Sequence, residues 1–71
     1  MKIKIVPFDS PEIGSDLVTE LEVLQVPAHG DLIKWRIMTE TGPLVVKGEV
    51  DRVYWDYSTD EIEVYVSGEI E

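Results

Sequence analysis

The sequence predicts an all-β fold, a small barrel or curled sheet of five short antiparallel strands, and three observations carry that expectation. Val50 to Val66 (VDRVYWDYSTDEIEVYV) reads as one β-hairpin: Ile62, Val64, Val66 and Ile70 alternate with Glu61, Glu63, Tyr65, Ser67 and Glu69, and Val53, Trp55 and Tyr57 alternate with Tyr54 and Asp56. Short alternating segments recur upstream, separated by turn-forming Pro, Gly, Asp and Ser. In the segment before the hairpin loop the apolar phase changes once, as it does where an extra residue bends a strand.

Lys2 to Phe8 reads as the first strand, with Ile3 and Ile5 against Lys2 and Lys4, and Pro7 suits a strand end because it cannot donate to a ladder. Asp9 to Ser15 (DSPEIGS) is a loop by its turn formers. Asp16 to Val26 reads two ways. Leu17, Leu21 and Leu24 have helical spacing behind a Ser15 N-cap, so a short helix at about 16–25 would make the fold α+β. The β-branched Val18, Thr19, Val23 and Val26, the alternation of Leu21 and Val23 with Glu20 and Glu22, and the closing Pro27 favour a strand.

Pro27 to Asp31 (PAHGD) is a turn, and Leu32 to Thr39 is a strand with Ile33, Trp35 and Ile37 inward and Lys34 and Arg36 outward. After the Glu40–Pro43 turn, Leu44 to Tyr57 forms a long strand. Val46, Gly48 and Val50 share one parity and Val53, Trp55 and Tyr57 the other, so a β-bulge is expected at Asp51 and Arg52. With Ser58, Thr59, Asp60 and Glu61 as the loop, Tyr57 lies opposite Ile62, Trp55 opposite Val64 and Val53 opposite Val66, all on the core face. Five such strands in meander order, bent near the fourth, suggest an SH3-like barrel or a curled antiparallel sheet.

Length and charge narrow the functions. Seventy-one residues allow one domain, which buries only about 60% of the surface its unfolded chain exposes. The chain contains no cysteine, which removes disulfides and thiolate metal sites. No apolar run near the N-terminus is long enough for a signal peptide or membrane span, so a cytoplasmic protein is expected. The net charge of −9 opposes direct contact with nucleic-acid phosphates or anionic lipid. From Glu49 onward eight acids face a single base, Arg52, so that part carries −7 of the −9.

Catalytic chemistry finds little support. His29, two residues from Asp31, would need a nucleophile or a second ligand to be more than a polar loop residue. Ser10, Ser15, Ser58 and Ser67 lie in no nucleophile-elbow pattern, and no phosphate-cradling glycine loop is present. Pairs such as Asp60 with Glu61, or Asp56 with Glu63, lack calcium-loop spacing and read as a solvated acidic face, so neither metal nor cofactor is expected. Trp35 and Trp55 sit on the apolar phase of their strands and read as core.

VPAHGD (Val26 to Asp31) followed by VDRVYWDYSTDEIEVYV resembles a pattern of short uncharacterised bacterial and phage-encoded SH3-like β-barrel proteins: a V-P-x-x-G-D turn, a V-x-R-V-x-W-D strand and a closing V-Y-V strand. The ETGPLVV stretch departs from that pattern. The resemblance implies a small barrel and a mobile-element origin and transfers no site.

The expected working surface is therefore the outer face of the closing hairpin. The register above sets Tyr54 opposite Tyr65, Asp56 opposite Glu63 and Arg52 opposite Ser67, with Glu61 alongside. Tyrosines anchor interfaces, and like charges directly opposite cost a strand pair stability, which points to function. Three readings follow: a non-enzymatic adaptor or inhibitor of a basic protein partner, a nucleic-acid mimic whose carboxylates occupy a phosphate-binding groove, and a homo-oligomer or virion component joined through strand edges.

Overall fold

The structure is a computed structural model that describes residues 1–8 and 18–71. Every regular element in these residues is a strand: β1 (Lys2–Pro7), β2 (Thr19–Glu22), β3 (Leu32–Thr39), β4 (Gly42–Asp56) and β5 (Glu61–Ile70). They form one sheet in the order β2-β1-β5-β4-β3, curled into a nearly closed, barrel-like shape consistent with a small SH3-like barrel. The fold is all-β, as the alternation predicts.

The strand alternative holds for the ambiguous segment. Thr19 to Glu22 pairs antiparallel with β1, setting Glu22 opposite Lys2 and Glu20 opposite Lys4, and no helix forms over the described part of 16–25. The expected loop over 9–15 lies outside the described residues, as do positions 16 and 17. One pairing corrects the all-antiparallel expectation, because β1 and β5 run parallel, with Ile5 beside Val64 and Pro7 beside Val66. Ile3, Ile5 and Pro7 reach the core in either direction, so alternation alone does not choose between them.

β3 matches its expected bounds. β4 starts earlier than expected, at Gly42, because Thr39 pairs with Gly42 around the two-residue Glu40–Thr41 turn, where the Thr39 hydroxyl donates to the Gly42 carbonyl at 2.7 Å. Pro43 is accommodated in this strand because β5 pairs only from Val46 onward, so its missing N–H breaks no ladder bond there.

The bulge is present. Val50 pairs with Val66 and Arg52 with Tyr65, leaving Asp51 as the extra residue, so Val46 and Val50 on one side and Val53 on the other face the same interior. The PAHGD turn fastens to it. Gly30 N–H donates to the Val50 carbonyl at 2.8 Å, Val50 N–H donates to the Asp31 carbonyl at 2.9 Å, and the Asp31 carboxylate accepts from Ala28 N–H at 2.8 Å. Gly30 lies at φ +89°, where a side chain would be strained. His29 Nδ1–H donates to the Asp51 carbonyl at 2.6 Å, supplying a partner for a backbone group at the point where the ladder breaks. His29 is thus a clamp on the bulge. Replacing His29 by Ala is expected to cost about 1 kcal/mol, with faster amide hydrogen exchange at Val50 and Arg52; unchanged exchange there would remove that role.

The core comprises Ile3, Ile5, Trp35, Ile37, Val46, Val50, Val64 and Val66. Gly48 and Gly68 face each other across β4 and β5, and Trp35 packs against Gly68: its Cη2 is 3.0 Å from where a Gly68 Cβ would stand. Here an aromatic ring from β3 reaches across β4 to cover a glycine on β5.

Candidate functional site

The closing hairpin departs from its expected register by two residues. Its turn is Tyr57 to Asp60, not Ser58 to Glu61, so Glu61 opens β5 opposite Asp56, with Trp55 opposite Ile62, Tyr54 opposite Glu63, Val53 opposite Val64 and Arg52 opposite Tyr65. The turn chemistry decides this. The Asp56 carboxylate accepts from both the Ser58 backbone N–H, at 3.0 Å, and the Ser58 hydroxyl, which holds that carboxyl below its usual range, the hydroxyl contributing most. Asp60 closes the turn at φ +57°, a conformation Asp tolerates.

A slip of two residues preserves which side chains face outward. Tyr54, Tyr65, Asp56, Glu61, Glu63 and Arg52 all lie on the outer face, and the like-charged pair directly opposed is Asp56 with Glu61 in place of Asp56 with Glu63. Tyr54 and Tyr65 are diagonal neighbours, yet their rings meet edge to face at 82° with centroids 5.4 Å apart. The Arg52 guanidinium lies 4.7 Å from the Tyr65 centroid, 5.1 Å from that of Phe8 and 5.9 Å from that of Tyr54. Its Nη1 donates to the Asp51 carboxylate at 2.7 Å, and that bond is the main cause of its raised pKa.

Phe8 was not among the expected site residues. It shares the outward parity of Lys2, Lys4 and Val6, but only the β1–β5 pairing brings it beside Tyr65 and Arg52, and parity alone does not reveal that neighbour.

The acids are not uniformly bare. Lys4, level with Glu63 in the β1–β5 register, forms an ion pair with Glu61, and that hydrogen bond is the main cause of its raised pKa. Both side chains are about one-third exposed, so the pair is partly screened. The surface is thus an aromatic cluster around one cation, bordered by Asp56, Glu61 and Glu63 with Lys4 among them.

Trp55 corrects a core assignment. It has the inward parity but is 50% exposed, whereas Trp35 is 5% exposed. At Trp55 β4 has β5 on one side, but β3 pairs with β4 only as far as Glu49, so among the described residues no strand lies on the other side of β4 there to complete the interior. Tyr57, expected opposite Ile62 on the core face, lies in the turn and is 85% exposed. Among the described residues no helix is long and apolar enough to cross a membrane. Comparison with known proteins finds no family model, no curated protein and no solved structure that matches this chain.

Proposed function

We propose that this chain is a non-enzymatic protein-interaction module that binds a partner with a basic surface through the outer face of the β4–β5 hairpin, acting as an inhibitor or adaptor. The observation that carries this reading is the Phe8–Arg52–Tyr54–Tyr65 cluster: four large side chains ordered against one another on the solvent side of the sheet, with Tyr54 half exposed. Rings already held in place lose little freedom on binding and offer contact area, while the bordering Asp56, Glu61 and Glu63 steer and select a basic partner. A nucleic-acid mimic is less well supported, because Lys4 and Arg52 interrupt the carboxylate row that would have to stand in for a run of phosphates.

The test is a double substitution, Tyr54→Ser with Tyr65→Ser, assayed against a partner recovered from host lysate and then purified. The variant should fold and lose binding by at least about 30-fold, the effect of one interface hot spot of about 2 kcal/mol. Asp56→Asn with Glu63→Gln should chiefly slow association and flatten its salt dependence, since Asn retains the oxygen that accepts from Ser58. A double tyrosine variant that binds as tightly as the native chain places the interface elsewhere.

A further inference from the structure

The tip of the same hairpin carries a hollow that shares Asp56 and Glu61 with the outer face but adds Trp55, Tyr57, Asp60 and Ile62, which the outer-face reading does not use. Trp55, Asp56, Tyr57, Asp60, Glu61 and Ile62 line an open hollow of about 180 Å³ at the hairpin tip. Its apolar walls come from Trp55, Tyr57 and Ile62, and two of these are the exposed aromatics that the core leaves uncovered. Three of the six lining residues are acids, and none is a base. Asp56 is oriented by Ser58 and Glu61 by Lys4, whereas Asp60 has no ion pair among the described residues.

We infer that this hollow is a recognition site for an arginine side chain presented by a protein partner. The charge complementarity is one-sided, because the lining offers carboxylates and ring faces and no donor of positive charge. Trp and Tyr faces attract a cation electrostatically, Trp most strongly. An aliphatic side chain would leave the Asp60 carboxylate unmatched, and an anion would meet three acids. Between the two cations, guanidinium fits better: it is planar, so it stacks on an indole or phenol, and its fork of donors matches a carboxylate, while its weak hydration makes entry cheap. The turn holds the receptor in shape, because the Asp56–Ser58 bonds and the left-handed Asp60 fix the segment that joins Trp55 and Tyr57 to Ile62. This site does not depend on the Tyr54–Tyr65 face, since Trp55 projects from the opposite side of β4.

The two tryptophans make the test internally controlled. The ¹⁵N-labelled full chain would be titrated with acetyl-Gly-Arg-Gly-amide in low-salt buffer while both indole N–H signals are followed. The Trp55 signal and the Tyr57 and Asp60 amides should move along a saturable curve while buried Trp35 stays still, and the norleucine peptide should move none of them. Asp60→Asn removes the charge but keeps a residue tolerant of positive φ, and should weaken the arginine peptide about three-fold, as expected for one exposed charge pair. The Tyr54→Ser, Tyr65→Ser variant should bind this peptide like the native chain, which separates failure of this site from failure of the outer face. Equal shifts of Trp55 with norleucine would show a plain apolar hollow and overturn the assignment. So would arginine shifts confined to the outer acids with Trp55 unmoved, or an Asp60→Asn variant that binds undiminished.

Discussion

Trp35→Ala should leave the chain largely unfolded at 37 °C. The indole sits at mid-strand on β3, is 5% exposed, and packs against Gly68 beside Val46. Truncating a buried Trp costs about 3–5 kcal/mol, and a domain of this size holds little more than about 5 kcal/mol in total. Trp35→Phe sharpens the test. The buried Trp35 Nε1–H has no hydrogen-bond partner among the described residues, so Phe keeps a ring against Gly68 and removes that donor. Its net cost should be about 1–2 kcal/mol. Trp55→Ala, at a half-exposed position, should cost about 1 kcal/mol or less. Urea unfolding followed by circular dichroism ranks the three variants, and a Trp55→Ala midpoint below that of Trp35→Ala would reverse the assignment of the core.

Gly48→Ala is the second large effect, expected at about 3 kcal/mol from a single added methyl. A Cβ at Gly48 would stand 2.5 Å from the Ser67 carbonyl oxygen, 2.7 Å from Val66 Cγ1 and 2.8 Å from Gly68 Cα. Two of these three atoms belong to the backbone of the paired strand, so relief requires β4 and β5 to separate where the sheet curls. Gly68→Ala provides the contrast. Its nearest obstacle is Trp35 Cη2 at 3.0 Å, the end of a side chain able to tilt, and the next is the Lys47 carbonyl oxygen at 3.3 Å. The Gly68 substitution should therefore cost less than the Gly48 one in equilibrium denaturation, and the opposite order would show that the glycine pair is not the close approach that shapes the sheet.

Much of the candidate site was legible because outward parity survives an error in register. Tyr54, Tyr65, Arg52, Asp56, Glu61 and Glu63 share a face whether the hairpin pairs Tyr57 or Trp55 with Ile62, since the two registers differ by two residues, one full period of side-chain alternation. What alternation leaves open is which of them touch. That came from Asp56 binding Ser58 and Asp60 adopting a left-handed conformation, local turn chemistry with several plausible solutions in STDE-like sequences. Phe8 joined the cluster only through the parallel β1–β5 pairing, a contact between segments almost sixty positions apart.

By itself the amino-acid order determined the bounds of β3, the inward phase of Trp35, Val46, Val50, Val64 and Val66, and the bulge at Asp51, and it favoured the all-β class and a strand around Leu21 over a short helix. Each of these depends on period-2 spacing or on a break in it, which a chain shows along its own length. The tertiary structure alone decided the parallel pairing of β1 with β5, the hairpin register and the exposure of Trp55. Parity states which face a side chain joins, but burial requires something opposite that face, and β3 ends its pairing at Glu49, before Trp55.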